Sequence, residues 1–404
     1  MRQDFSPSAL VAGLIAVIVS FAGPSLIIFQ AATAAHIGQA ELSSWIWAVS
    51  IGSGVSAIAL SWWFRAPVIT AWSTPGAALL VAALPNYTYP QAIGAFLFAA
   101  VLITLLGISG LFETIMARIP KSIAAAMLAG ILFRFGSQIF SSFTADPTLV
   151  GAMFVAYLAF KRFLPRYAIA LVLVLGIVLA AAGGNMHFES FHIEPAVPVF
   201  TTPEFTWSAI VGLGLPLALV TLTGQFVPGV AVLRAFGYGT PASPLVWGTS
   251  ILAVLLAPFG SHGVNLAAIT AAICSGPEAH PEASKRWVAG VALGVIYIVI
   301  GLFGATLASL FAALPKELVA TVAGLALIGA IMNGLTGAMS VEREREPALL
   351  TFLVTASGMS FLGIGSAFWG LTVGVAAAMV LLSPARSTQQ ATPATSAPVP
   401  APAR

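Results

Sequence analysis

The chain has 404 residues, 59% of them hydrophobic and only 7% charged, with a formal net charge of +3 and a mean hydropathy of +1.00. Soluble domains carry about 25% charged residues, so a water-exposed surface of ordinary composition is excluded. The few basic residues suit membrane orientation rather than nucleic-acid binding, and the single cysteine, Cys274, rules out an intramolecular disulfide or a cysteine metal cluster.

Long unbroken apolar runs, rather than the short alternating segments of a barrel, point to an all-α integral membrane protein. Hydropathy predicts about fourteen spans of membrane-crossing length: 8–32, 43–63, 67–84, 90–110, 119–141, 147–163, 165–183, 207–232, 243–258, 259–275, 286–310, 314–334, 348–364 and 366–383. The first run lacks a small-residue cleavage site and reads as a retained helix, broken near its middle by Gly23-Pro24. Residues 386–404 form a Pro/Ala/Thr tail too poor in large apolar residues to fold. With both termini cytoplasmic, every Lys and Arg except Lys316 and Arg134 falls on the cytoplasmic side.

Three matches between the halves recur in the same order. Ile119-Pro120-Lys121 parallels Leu314-Pro315-Lys316, Ala66-Pro67 parallels Ala257-Pro258, and Ser8-Ala9 parallels Ser208-Ala209. Two repeats of seven spans, 1–190 and 191–385, would lie in opposite orientations because seven is odd. Inverted repeats of this kind mark alternating-access transporters.

The third and tenth spans read as broken, each a short strand followed by a half-helix. Pro67 to Trp72 is β-prone and Ala77 to Leu84 helix-prone, with Ser73-Thr74-Pro75-Gly76 between them and Thr74 as the expected N-cap. Phe259-Gly260-Ser261-His262-Gly263 is a poor helix, and Asn265 reads as the N-cap of a half-helix over 266–275. Two half-helix N-termini facing each other at mid-membrane would present unpaired N–H groups to an anion. The competing reading is a pair of distorted but ordinary helices.

Gln225, in the eighth span, is either a helix–helix hydrogen-bonding group or a ligand contact. His262 is either a proton relay or a partner for the broken backbone beside it. Arg134 either attracts an anion or snorkels outward, and His187 and His192 read as solvated loop residues. All acidic residues fall in loops or near span ends, so no protonation switch is evident. An intramembrane enzyme would need paired carboxylates, a metal set or a nucleophile–base pair at depth; none is legible.

The segments TAWSTPGAALL (70–80), GSHGVNLAAITAAICSGPEAHPEAS (260–284) and QFVPGVAVLRAFGY (225–238) resemble the benzoate:proton symporter family, over about residues 5–385. That resemblance implies the fold shared by uracil/nucleobase transporters and sulfate-type anion carriers: a core domain over about 8–110 plus 207–310, and a gate domain over about 119–183 plus 314–383. Substrate would lie between the third and tenth segments. One side would be lined by Trp72, Ser73, Thr74, Pro75 and Gly76. Ser261, His262, Gly263, Val264 and Asn265 would line the other, with Gln225 and Phe226 from the eighth. The sequence departs from the family pattern Ser-Gln-Asn-Leu-Pro-Gly, having Gly224-Gln225-Phe226-Val227-Pro228-Gly229. The uracil carriers hold glutamates in their eighth and tenth segments; here Gly224 or Gln225 and Val264 stand instead. An acid-free site favours an anion. The expected function is import of an aromatic monocarboxylate, benzoate first, with a proton, across the cell inner membrane. The alternative is a carrier or exchanger of other anions. The lipid bilayer, the proton and the small carboxylate are the expected partners; no nucleic acid, cofactor or metal is expected, and a homodimer is left open.

Overall fold

The computed structural model describes residues 6–382, apart from 23, 115–119, 166, 187–192, 268, 278, 362 and 363. The tail, His187 and His192 lie outside the described residues, as does the Arg134 side chain.

The first helices are α1 (Pro7–Ala22) and α2 (Pro24–Ala34), the second opening on a proline, which has no N–H to donate. They are followed by α3 (Gln39–Phe64), β1 (Thr70–Ala71), α4 (Thr74–Ala83) and α5 (Tyr89–Ile108). Three further helices complete the first half: α6 (Lys121–Ala145), α7 (Pro147–Phe163) and α8 (Ala168–Ala182). The second half opens with α9 (Trp207–Arg234), whose course includes π turns at Ile210–Gly214 and Leu222–Phe226. Then come α10 (Ala242–Leu256), β2 (Asn265–Leu266), α11 (Ile269–Ser275), α12 (Trp287–Leu302) and α13 (Gly304–Ala312). Last are α14 (Lys316–Ala338), α15 (Arg345–Ser357), the two-residue strands β3 (Ser360–Phe361) and β4 (Ile364–Gly365), and α16 (Ser366–Leu381).

Eight helices of the described chain are long and apolar enough to cross a membrane: α1 with α2, α3, α5, α6, α9, α10 with its 3-10 extension to Phe259, the stretch Ala283–Leu302, and α14. The remaining predicted spans are shorter. The expected 286–310 span is two helices that meet at Phe303, and the 348–364 span ends its helix at Ser357, where Gly358 turns left-handed.

Packing pairs recur between the halves. Helix α3 packs on α12 as α10 packs on α5; α15 and α16 pack on α6 as α7 and α8 pack on α14. The α6–α14 group meets the rest through α4 and α9 against α6, α2 against α14, α1 against α8, and α9 against α16 and β4. The two broken segments lie within the first group. They pair as an antiparallel ladder, with Thr70 opposite Leu266 and Ala71 opposite Asn265, extended by Ala267 N–H donating to the Ile69 carbonyl at 2.9 Å. Neither segment is a continuous helix.

Candidate functional site at the paired broken segments

Two isolated strands at membrane depth leave backbone groups that lipid cannot satisfy. Helix α3 supplies many of the partners. Ser61 Oγ both donates to the Val68 carbonyl and accepts from the Val68 N–H, each at 3.1 Å. Thr70 Oγ1 donates to the Ser53 carbonyl at 2.6 Å and lies 2.9 Å from Ser56 Oγ. Near the other strand, Ser44 Oγ donates to the Phe259 carbonyl at 2.9 Å. Gly260 (φ +103°) and Gly263 (φ +153°) make the turns into β2, in backbone regions that side chains disfavour. At Gly260 a Cβ would also meet Tyr89 Oη at 2.7 Å.

Helix α4 is capped by Ser73 rather than Thr74. Ser73 Oγ accepts the Gly76 N–H at 3.0 Å, and the Ser73 carbonyl accepts the Ala77 N–H at 2.7 Å. Ser73 Oγ also accepts from Thr221 Oγ1 of α9 at 2.9 Å. Gln225, within the second π turn, bridges both broken segments when its amide is oriented to satisfy both neighbours: its nitrogen then donates to the Leu266 carbonyl at 3.1 Å and its oxygen accepts the Thr74 N–H at 3.3 Å. Pro75 has no N–H. The expectation that α4 offers unpaired N–H groups is therefore corrected: its first-turn donors are already engaged.

The opposite half-helix is also revised. Asn265 lies in β2 and does not cap a helix; α11 begins at Ile269 and spans only seven residues. Its short length follows from the extra extended residues needed to pair with β1.

His262 joins the two segments. Its Nδ1 accepts the Trp45 indole N–H at 2.9 Å, and its Nε2 donates to the Ser73 carbonyl at 3.2 Å. The ring lies edge-on to Trp45 and Phe96. Of the alternatives open from sequence, the structure shows the backbone-bonding arrangement.

Most of the expected site residues are buried at this junction: Trp72, Ser73, Pro75, Gly76, Gln225, Phe226, Ser261, His262, Val264 and Asn265, with Thr74 and Gly263 half-buried. Their apolar members face different neighbours. Trp72 packs with Phe21 and Tyr297, at ring-centroid distances of 5.1 and 5.7 Å. Val264 packs with Ala100 and Ala253, and Phe226 faces Phe112 at 6.4 Å. Three polar groups at the junction have no partner: Trp72 Nε1, Ser261 Oγ, and both amide atoms of Asn265. Such groups are costly to bury unpaired, about 1–3 kcal/mol each. Among the described residues no Asp or Glu is buried, and no three His, Cys, Asp or Glu side chains cluster as a metal site would need.

Sequence reasoning missed Trp45, Thr221 and the serines of α3. The signal was present in Ser50, Ser53 and Ser56, whose three-residue spacing puts hydroxyls on one face of an apolar helix.

The family model described as benzoate membrane transport protein matches residues 3–380. The benzoate membrane transport protein of Acinetobacter baylyi is 46% identical over 387 residues, covering 96% of this chain and 98% of that one. Inner membrane protein YdcO of Escherichia coli is 46% identical over 375 residues, covering 93% and 96%. Among solved structures, the transmembrane domain of the cyanobacterial bicarbonate transporter BicA aligns with a TM-score of 0.59 at 15% identity, covering 91% of this chain and 97% of that one. SLC26A9 aligns at 0.62 and 13%, covering 95% of this chain and 66% of its own. These two likenesses establish the fold.

Proposed function

The chain belongs to the benzoate membrane transport protein family, and from that premise we propose that this membrane transporter imports an aromatic monocarboxylate, benzoate first, in symport with a proton. Family membership makes it a transporter and not an enzyme. The observation that carries the substrate class is the acid-free junction of the broken segments, where Ser261, Trp72 and Asn265 hold unpaired polar atoms. A nucleobase carrier needs a carboxylate to accept ring N–H groups; a carboxylate cargo would be repelled by one.

In this reading fourteen segments form two inverted sevens, supported by the recurrent packing pairs. The core domain comprises α1 to α5 with α9 to α13, and the gate comprises α6 to α8 with α14 to α16. Rocking of core against gate exposes the junction alternately to each side, driven only by the differential stability of the two states. Ser261, Asn265 and Thr74 would contact the carboxyl group of the cargo, while Ser73, Gln225 and His262 keep the two segments in register. Both termini lie in the cytoplasm, supported by the segregation of Lys and Arg, and the membrane is the cell inner membrane.

Proteoliposomes test this directly. An inward proton gradient should drive uptake of labelled benzoate, and added benzoate should collapse the gradient. Absence of benzoate-dependent proton flux would remove the coupling. A carrier of other anions is the second reading, favoured by the fold shared with a bicarbonate transporter. Competition of benzoate uptake by bicarbonate or sulfate, but not by aromatic acids, would establish it instead.

A further inference from the structure

Proton symport needs a group that carries the proton, and the described residues offer few. The buried Asp, Glu, His, Lys and Arg side chains are His262, His280 and Arg286 alone. His280 and Arg286 lie beyond the end of α11, where Arg286 donates to the carbonyls of Ser275 and His280. His262 is committed at both ring nitrogens. An indole nitrogen only donates and a carbonyl only accepts, so the ring is the neutral tautomer with its proton on Nε2. A second proton would sit on Nδ1 and oppose the Trp45 N–H.

Asn265 is the contrasting case. The residue is fully buried, yet neither its Oδ1 nor its Nδ2 has a partner. Val264 and Leu266 on either side are packed among apolar neighbours, and strand alternation turns the amide to the other face of the ladder. One acceptor beside one donor matches a carboxyl group in its neutral form. An acid O–H donates to the amide oxygen while the amide N–H donates to the acid carbonyl. An ionised carboxylate only accepts, so its second oxygen would face Oδ1 with no proton between them. Burying that charge without a cation is further opposed by desolvation.

Resting on the transport reading above, we propose that the proton crosses the membrane on the substrate itself, with Asn265 holding the neutral carboxylic acid through a two-point hydrogen-bonded pair. At one face the carboxylate takes a proton from water and binds as the acid. At the other the acid leaves and dissociates, delivering one carboxylate and one proton per cycle. No protein group changes protonation state.

Isotope-edited infrared spectroscopy of purified wild-type protein with carboxyl-labelled benzoate at pH 7 reads the bound species. The carbonyl stretch of a neutral acid is expected, although only roughly one free molecule in a thousand is protonated there, for a carboxyl pKa near 4. Affinity for total benzoate should fall about tenfold per pH unit above pH 5, while benzamide, which carries a donor and an acceptor at every pH, should bind without pH dependence. Asn265→Ala should weaken benzoate binding at least ~10-fold, as expected for a buried polar partner removed. A bound carboxylate doublet would overturn the proposal while leaving benzoate transport intact. Absence of any bound benzoate band at pH 5 and pH 7 would overturn the transport reading itself.

Discussion

Ser73 and His262 are 189 residues apart in the chain, and the His262 ring meets the Ser73 carbonyl at 3.2 Å. That contact joins the junction of β1 and α4 to the stretch before β2, and Trp45 of α3 holds the same ring from its other edge. The candidate site is therefore built on a cross-link between the two halves of the chain, made of neutral groups.

His262→Leu should destabilise the protein by about 1–3 kcal/mol, because it leaves the Trp45 N–H buried without a partner and the Ser73 carbonyl with the Ala77 N–H alone. Gln can accept from the indole and donate to the carbonyl, so His262→Gln should recover part of that loss. Thermal unfolding in detergent, followed by tryptophan fluorescence, checks both. Equal midpoints for the two variants would contradict the cross-link.

Ser73→Ala removes the cap of α4 and the bond from Thr221. A lost N-cap costs ~1 kcal/mol, and the stranded Thr221 hydroxyl adds to it, so a larger drop in midpoint than for Thr74→Ala is expected. If the Thr74 variant is the less stable of the two, the cap has been assigned to the wrong residue.

Gln225→Leu should lower the rate of benzoate uptake in proteoliposomes at least ~10-fold. It frees the Thr74 N–H and the Leu266 carbonyl, each worth about 1 kcal/mol in a net hydrogen bond, and loosens the register of the two broken segments. Gln225→Glu keeps an acceptor for Thr74 but, when ionised, turns a negative oxygen toward the Leu266 carbonyl. Uptake by the Leu variant at wild-type rate would show that Gln225 plays no part in holding the junction.

Arg286 fixes the chain that follows α11. It is buried and donates to the Ser275 carbonyl at 2.8 Å and the His280 carbonyl at 2.7 Å, with Pro281 at 3.4 Å. Arg286→Lys retains the charge but not the planar fork, so it should lose stability nearly as Arg286→Met does, by about 2–4 kcal/mol. Limited proteolysis of the 276–285 loop should accelerate in both. An intact Lys variant would mean that charge at the end of α11, rather than the three carbonyl bonds, matters there.

Much of this protein was determined by its sequence alone. Apolar run lengths and the scarcity of charge dictate helices in a bilayer, because no other surface can be solvated by so few ionised groups. The prolines and glycines at 67–76 and 258–263 disfavour regular helix and mark where both breaks fall, but only the pairing of β1 with β2 separates strands from distorted helices. What β1 and β2 do next was not local. Whether Ser73 or Thr74 caps α4, and whether Asn265 opens a helix or pairs in a strand, depends on Thr221, Ala71 and Ile69 arriving from other segments. The tautomer of His262 likewise waits on Trp45. Side-chain choice among equivalent polar neighbours is set by which partner the folded chain brings within about 3 Å, and that distance is a property of tertiary packing, which sequence spacing does not contain.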